Sequence, residues 1–421
     1  MKILEINNTD IPGKRFNGFD LQKMINSTTR HTAKQIVFDK ISKDENVIPI
    51  ISCGHTNNVR AILSNHRKNS SLQMFYSPWT YKIMGMREFY QANVVHYHLI
   101  HNDILSLASL PDIFLQKPAI WTIHDPWAIT GHCIYPRECK KYNRECKKCP
   151  HLDYLFPLKD DNAHFLWECK KNVYQKIKDV DIIVASKYME NLIRSSELMK
   201  DFENIHYIPF GIDLEKFKAC DNKKREKIRE KLGFKNDDIV ILFRSQDTGV
   251  KGLEYIKKAL KKIKTNKHVC LLTCNDKGLI NDLKNKYKVV EVGWINSDDE
   301  MIKLYNACDI FLMPSTAEAF GLMAIEAMSC SKPVIVFDNT SLPEITFAPE
   351  CGVTAKWCDY DSLAEKIMFL IDNEQERINR GNLGREYAIK NYDINDYNKK
   401  MIKLYEDVYR KSKLKKKQGE K

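Results

Sequence analysis

Short apolar runs of strand length recur along the chain, separated by stretches whose apolar residues return every three or four positions. In the first half the runs are MKILEI at the start, then Val47–Ser52, Asn93–His98, Ala119–His124 and Asp181–Ser186. In the second half they are Asp238–Arg244, Val269–Cys274, Val289–Trp294, Ile310–Ser315 and Pro333–Asp338. Runs that are apolar throughout suit strands covered on both faces, and alternation of strand with helix predicts parallel sheets in an α/β fold. A helix is expected from about Phe19. Past Cys351 the pattern turns wholly helical, with helices over Asp361–Asn373, Glu374–Lys390 and Ile394 to about Lys411. At 421 residues the chain exceeds one ordinary core, so two domains are expected. The segment Ile205–Phe217, IHYIPFGIDLEKF, carries Pro209 and Gly211 and suits a bend at the seam. The expected boundaries are 1–208, 209–390 and a terminal segment 391–421.

The stretch Ile310–Asp338 reads as strand, loop, helix and strand, the helix opening near Phe320–Gly321. Its start offers unpaired N–H groups and a positive dipole end, which favour an anion. Glu318 precedes that helix and Glu326 lies within it; beside a phosphate both would serve better as acceptors for flanking hydroxyls. Arg244 ends one strand, and Lys251-Gly252 opens the next helix, so two fixed cations can face the same anion. Gly293-Trp294-Ile295 ends another strand. In the first half a glycine-bearing loop, 12–18, follows the first strand and contains Gly13, Lys14, Arg15 and Asn17. His96, His98 and His101 cluster at one strand end, and His124-Asp125 at the next. Ligands gather at the carboxyl ends of parallel strands. Neither a G-x-G-x-x-G nor a G-x-x-x-x-G-K-[ST] motif occurs, which removes the main support for dinucleotide or P-loop binding.

Taken in order, the glycine loop, His124-Asp125, the I-P-x-G-I-D hinge, Arg244 with Lys251, and the E-x7-E pair of EAFGLMAIE resemble retaining glycosyltransferases of family 4. The resemblance implies the GT-B architecture: two Rossmann-like doubly wound domains facing a cleft, with a C-terminal helix crossing back to the first. It implies transfer of a sugar from a nucleotide-diphosphate sugar, of UDP or GDP type, to a hydroxyl of a glycan or lipid-linked acceptor in cell-surface polysaccharide synthesis. No cofactor is implied for catalysis. By the same resemblance Arg244 and Lys251 offset the departing diphosphate and Glu318 positions the sugar, while Glu326 takes the ribose. Gly13, Ala319, Phe320, Gly321 and Leu322 line the donor, and Trp294 and Ile295 meet its base. His124 and Asp125 stand near the transferred sugar. Lys14, Arg15 and Asn17 face the acceptor. The Arg244–Lys251 separation is longer than the family's common form. For His96 and His98, packing is expected rather than catalysis.

Net charge is +12, with lysines crowded at Lys411, Lys413, Lys415, Lys416, Lys417 and Lys421 against one Glu420. Such an excess favours anionic partners, either a solvated tail or contact with the inner face of a membrane. No apolar run reaches a membrane span and the start lacks a signal-peptide profile, so a cytoplasmic enzyme, peripheral at most, is expected. Thirteen cysteines without an export signal argue for reduced thiols or metal. Cys133, Cys139, Cys146 and Cys149 follow C-x5-C-x6-C-x2-C, a spacing open to tetrahedral zinc, free thiols or disulfides, with His132 able to replace one thiol. A similar cysteine-rich insertion, about 130–155, occurs in some bacterial surface-polysaccharide glycosyltransferases. A zinc-containing nucleic-acid-binding protein is the rival class, but the basic residues are spread through amphipathic helices and no nucleic-acid motif stands out. A non-catalytic sugar-nucleotide-binding protein of the same fold is the other alternative.

Overall fold

The computed structural model describes residues 1–11, 13–51, 55–72, 74–75, 77–101, 104–177 and 179–419. Pro12 of the glycine loop, Ser52 of one expected strand, and Glu420 and Lys421 of the basic tail lie outside them. The chain forms two units: Met1–Ile208 together with the segment from Asn398 onward, and Pro209–Tyr397.

Seven strands build the first unit: β1 (Lys2–Thr9), β2 (Thr32–Asp39), β3 (Val47–Pro49), β4 (Val94–Tyr97), β5 (Ala119–Thr122), β6 (Val180–Val184) and β7 (Ile205–Tyr207). They form one sheet in the order β3-β2-β1-β4-β5-β6-β7, every pair parallel. The second unit has β8 (Ile239–Ser245), β9 (Val269–Asn275), β10 (Lys288–Gly293), β11 (Ile310–Met313), β12 (Val334–Phe337) and β13 (Val353–Ala355). Their order is β10-β9-β8-β11-β12-β13, again all parallel. The central strands β4, β5, β6, β11 and β12 are buried along their whole length, as sheets covered on both faces require.

Three strands depart from the sequence reading. β2, TAKQIVFD, alternates exposed and buried at its start, and its lysine and glutamine mask the apolar run. β7 falls inside the segment read as a seam and holds the sheet edge. β13 lies past Cys351, where helix alone was expected; three residues are too short for a periodic signal. The helices Tyr360–Asp372, Glu374–Asn391 and Ile394–Lys417 follow it. The last starts in the second unit and belongs to the first from Asn398. In the second unit the chain closes on itself where Ile212 bridges Asp393 in parallel.

Candidate functional site

In the second unit β8 and β11 are neighbours, so the loops leaving their carboxyl ends run side by side. Thr316 ties them: its N–H donates to the Val250 carbonyl at 2.8 Å and its hydroxyl to the Gly249 carbonyl at 3.1 Å. Gly252 makes the approach feasible. Its φ is +74°, and a Cβ there would sit 2.0 Å from the Pro314 carbonyl oxygen, so only glycine fits. Lys251 is thereby delivered to Glu318, and its Nζ donates to Oε2 at 2.9 Å. Arg244, at the end of β8, is half-buried, and its Nε is a buried donor without a protein partner. The hydroxyls of Ser245, Thr248 and Ser315 are buried in the same condition. Orphaned donors this dense are rare in folded proteins and point to a missing acceptor.

The helix Leu322–Ser329 starts directly after Gly321. Ala319 is buried, while Leu322 is half-exposed on the first turn. The Phe320 ring is not available to a ligand: it packs edge-on against Phe210 and Tyr392. Its carbonyl and that of Glu318 both accept from the Ser341 hydroxyl, which fixes the loop. Glu326 is 4% exposed, and one of its oxygens accepts from the Tyr305 hydroxyl at 2.8 Å. Trp294 is exposed, its indole N–H donating to Asn296 Oδ1, with half-buried Ile295 beside it.

In the first unit the parallel register sets Glu5 of β1 beside His96 of β4. His98 follows two residues on, and on β5 Thr122 and His124 repeat that spacing, so both pairs keep to one face. A buried network results. Glu5 Oε1 accepts from the Tyr405 hydroxyl at 2.8 Å, and Oε2 accepts from His98 Nε2 at 2.8 Å. His96 Nδ1 lies 3.0 Å from the same Oε2 and 2.7 Å from the Tyr405 oxygen, and its Nε2 meets the Thr122 hydroxyl at 2.7 Å. His98 Nδ1 lies 3.1 Å from His124 Nε2. Burial works to raise the Glu5 carboxyl, but His96 and His98 outweigh it and hold it down at about 2. Burial and the neighbouring His96 push His98 down to about 4 against the pull of Glu5, and burial with His98, His96 and His101 pushes His124 down further.

Three residues of this unit are engaged with neighbours of their own. The Asp125 carboxylate accepts from the Trp127 N–H at 2.9 Å, capping a short helix, and pairs with His101 Nε2 at 3.3 Å. Asn17 is buried and spends its amide on the carbonyls of Thr9 and Asp10, so it shapes the loop rather than presenting a group outward. His98 is buried, as expected for a packing residue, and also links a polar chain. Gly13, Lys14 and Arg15 remain half-buried on the loop. Glu5 and Tyr405 were missed, although Glu5 sits in the first apolar run and the two i, i+2 pairs were visible.

The cysteine segment follows the Asp125 turn. Cys133 and Cys146 are buried; Cys139 and Cys149 are partly so. The Gly131 N–H donates to Cys146 Sγ at 3.2 Å, and His132 Nε2 lies 3.3 Å from Cys149 Sγ. The four sulfurs are not among the groups of three whose ligand atoms lie within 4.8 Å of one another; among the described residues those are Glu5, His96, His98 and Asp238, His268, Cys270. Lys170, fully buried, donates to the carbonyls of Trp127 and Thr130 and stacks its ammonium over the Trp127 ring. Burial brings it down to about 7, with Cys146, Cys133 and Asp125 resisting.

Residues 224–387 match the family model described as Glycosyl transferases group 1. The capsular polysaccharide biosynthesis glycosyltransferase CapM of Staphylococcus aureus is 30% identical over 216 residues, 49% of this chain and 56% of that protein. The chain spans about half the length or less of the leading curated relatives. Sucrose-phosphate synthase of Thermosynechococcus elongatus superposes with a TM-score of 0.72 at 18% identity, covering 97% of this chain and 99% of that one. Anabaena HepE, crystallised with UDP and glucose, gives 0.67 at 16%, covering 97% and 100%. These similarities at whole-chain coverage show the GT-B fold.

Proposed function

We infer that this chain, a GT-B protein whose second unit is a group 1 glycosyltransferase domain, is a retaining glycosyltransferase acting on a nucleotide-diphosphate sugar. The observation that carries the reading is the meeting of Lys251 and Glu318 on loops held together by Thr316, with the orphaned Arg244 Nε at the end of the strand that feeds one of them. Two fixed cations and the start of the helix Leu322–Ser329 would offset the charge of a departing diphosphate. Glu318, already positioned by Lys251, would accept from sugar hydroxyls. Glu326, whose carboxylate also accepts from Tyr305, would read the ribose, and Trp294 with Ile295 would meet the base. UDP and GDP are the nucleotides we favour; UDP is the one bound in HepE. With no carboxylate assigned as a nucleophile, the acceptor hydroxyl would attack from the face the diphosphate leaves.

The acceptor we propose is a glycan or lipid-linked sugar of a surface polysaccharide, the pathway of CapM. In the first unit Met1, Arg30, Arg410, Lys413 and Lys417 line a groove with only Glu406 and Asp407 against them, a surface suited to the anionic face of a membrane. We also propose structural zinc at Cys133, Cys139, Cys146 and Cys149. The Gly131 N–H···S bond suits a thiolate at Cys146 and Lys170 supplies a buried countercharge; zinc would draw together sulfurs of which no three lie within 4.8 Å of one another here.

Turnover of a panel of UDP-, GDP-, ADP- and TDP-sugars, with soluble and vesicle-borne acceptors, tests the reading. Arg244→Ala, Lys251→Ala and Glu318→Ala should each lose about 100-fold or more in kcat while remaining folded. Full turnover in the folded Arg244 and Glu318 variants, or no nucleotide sugar turned over by the native chain, would reject it.

A further inference from the structure

We propose that Asp238, His268 and Cys270 form an exchangeable zinc site at the amino-terminal edge of the second unit's sheet. Arg244 stands at the other end of β8, six residues or about 20 Å along the strand, so the site is separate from the one that takes the nucleotide sugar.

The strand register builds it. β8 and β9 pair in parallel with Ile239 opposite Val269, and the Ile239 N–H donates to the His268 carbonyl at 2.9 Å. Asp238 and His268, each one residue earlier, therefore lie side by side. Cys270, two residues after His268, returns to the same face. Asp238 Oδ1 meets His268 Nδ1, and Cys270 Sγ lies 3.8 Å from that same nitrogen. The three ligand atoms all lie within 4.8 Å of one another.

An acid–histidine–thiol relay would use the same residue types, but in a relay the carboxylate and the nucleophile take opposite ring nitrogens. Here both face Nδ1, and Cys270 is 0% exposed, closed to any substrate. Three ligand atoms turned toward one point suit a shared ion instead. Tetrahedral zinc, with bonds of about 2.0–2.3 Å, sets its ligand atoms about 3.3–3.6 Å apart. The sulfur–nitrogen pair is close to that spacing. The Asp238–His268 pair is tighter and must open, which the 63% exposure of the His268 side chain allows. Sulfur, imidazole nitrogen and carboxylate oxygen are all ligands that zinc accepts. Asp238 is oriented from behind, where its Oδ2 accepts from the Lys235 N–H at 2.8 Å. The neighbouring cations are committed elsewhere: Lys288, opposite Cys270 on β10, donates to the Gly233 carbonyl, and Arg229 pairs with Asp309 and donates to the carbonyls of Ala307 and Asp238.

On binding, the Cys270 thiol proton leaves to solvent. The proton between Asp238 and His268 passes through solvent to His268 Nε2, so the ring stays neutral and Nδ1 takes the ion. Water completes the coordination on the exposed side. With three protein ligands and one open side, the site fills from added metal and empties on dialysis, unlike a closed four-thiolate site. Glu5, His96 and His98 cluster as closely, but each is no more than 1% exposed and offers an ion no entry.

The test is cadmium NMR on full-length protein titrated with the metal, with zinc competition and melting curves alongside. Cadmium held by one sulfur resonates well upfield of cadmium held by four, so this site is read apart from any at Cys133, Cys139, Cys146 and Cys149. One upfield resonance is expected, displaced by zinc, with a dissociation constant of about 10 µM or tighter. It should weaken by about 100-fold or more in His268→Gln and in Cys270→Ala, and persist in Cys146→Ser. Zinc should raise the melting transition of the second unit in the native chain and not in His268→Gln. Because the His268 side chain is exposed, His268→Gln removes a ligand without opening the core, and it decides the matter if Cys270→Ala fails to fold. An upfield resonance that is absent from the native chain, appears only at millimolar metal, or is unmoved in folded His268→Gln overturns the site. Its loss in Cys146→Ser would assign the ion to the first unit and overturn it equally.

Discussion

Single residues in this protein owe their chemistry to who donates to whom, and the Glu5 network has a pH signature that follows. Glu5 is held near 2 from an ordinary 4.5, and His98 near 4 from an ordinary 6.5. Both folded values lie below the unfolded ones, so the unfolded chain binds more protons and stability must rise with pH. The His98 contribution is complete above about 6.5 and drains away as pH falls toward 4; the Glu5 contribution drains between about 4.5 and 2. At about 1.4 kcal/mol per pH unit, the His98 window carries about 3 kcal/mol. Thermal melts should therefore fall steeply between pH 6.5 and 4 in the native chain, and His98→Gln should flatten that slope while lowering stability at pH 7. A slope unchanged by the substitution would place the titrating group elsewhere. In the second unit the same logic of partners explains why Arg244, Lys251 and Glu318 could be picked out in advance. Charged residues at strand ends, spaced about a helix opening, are a local pattern. Glu5 offered no such pattern, because a carboxylate inside an apolar run looks like an interruption until the register sets it beside His96.

Among the elements, strands with unbroken apolar character were legible and those without it were not. IFLM of β11 and VIVF of β12 announce themselves, whereas the polar residues of β2 and the brevity of β13 leave only pairing to define them. The segment Gly131–Pro150 is a different kind of element, since four cysteines are concentrated in it. Lys170 pins the Asp125 turn before it through the carbonyls of Trp127 and Thr130. A buried ammonium without a carboxylate partner is costly. Thiolates at Cys133 and Cys146, both buried beside it, would offset that cost, and zinc is what would keep them ionised against burial that drives the free thiols up to about 12 and about 11. One zinc per chain is therefore expected by elemental analysis. Stripping it with a strong chelator should destabilise the first unit, and Cys146→Ser should cost about 2 kcal/mol or more. Folded protein free of zinc, with a melting temperature that chelation does not move, would mean that the segment is held by thiols alone.

At the scale of the whole molecule, the first unit is discontinuous, and that discontinuity was implied by family resemblance alone, since no periodicity tells where a helix docks. Its terminal helix contributes side chains that the residues before Ile208 cannot replace. Tyr405 donates to the buried carboxylate of Glu5, Glu406 accepts from His31 Nε2 at 2.9 Å, and Lys415 pairs with Asp179 at 2.6 Å. The last two are surface contacts worth little. The first is not, because removing it leaves a buried charge short of a donor, at a cost of about 1–3 kcal/mol. Lost burial of Met401, Leu404 and Val408 adds to that. The second unit, by contrast, is continuous from Pro209 to Tyr397 and keeps its own closure at Ile212 and Asp393. Ending the chain after Tyr397 should therefore unfold or melt the first unit selectively, and the second should retain its cooperative transition. If the second unit holds the nucleotide by its own residues, millimolar UDP or GDP should still raise that surviving transition in the shortened chain. Binding at about 100 times the dissociation constant stabilises by about 2.7 kcal/mol, which calorimetry resolves as a shift of several degrees. Loss of both transitions together would show that neither unit stands without the other, and a surviving transition blind to the nucleotide would move the donor site out of the residues assigned to it.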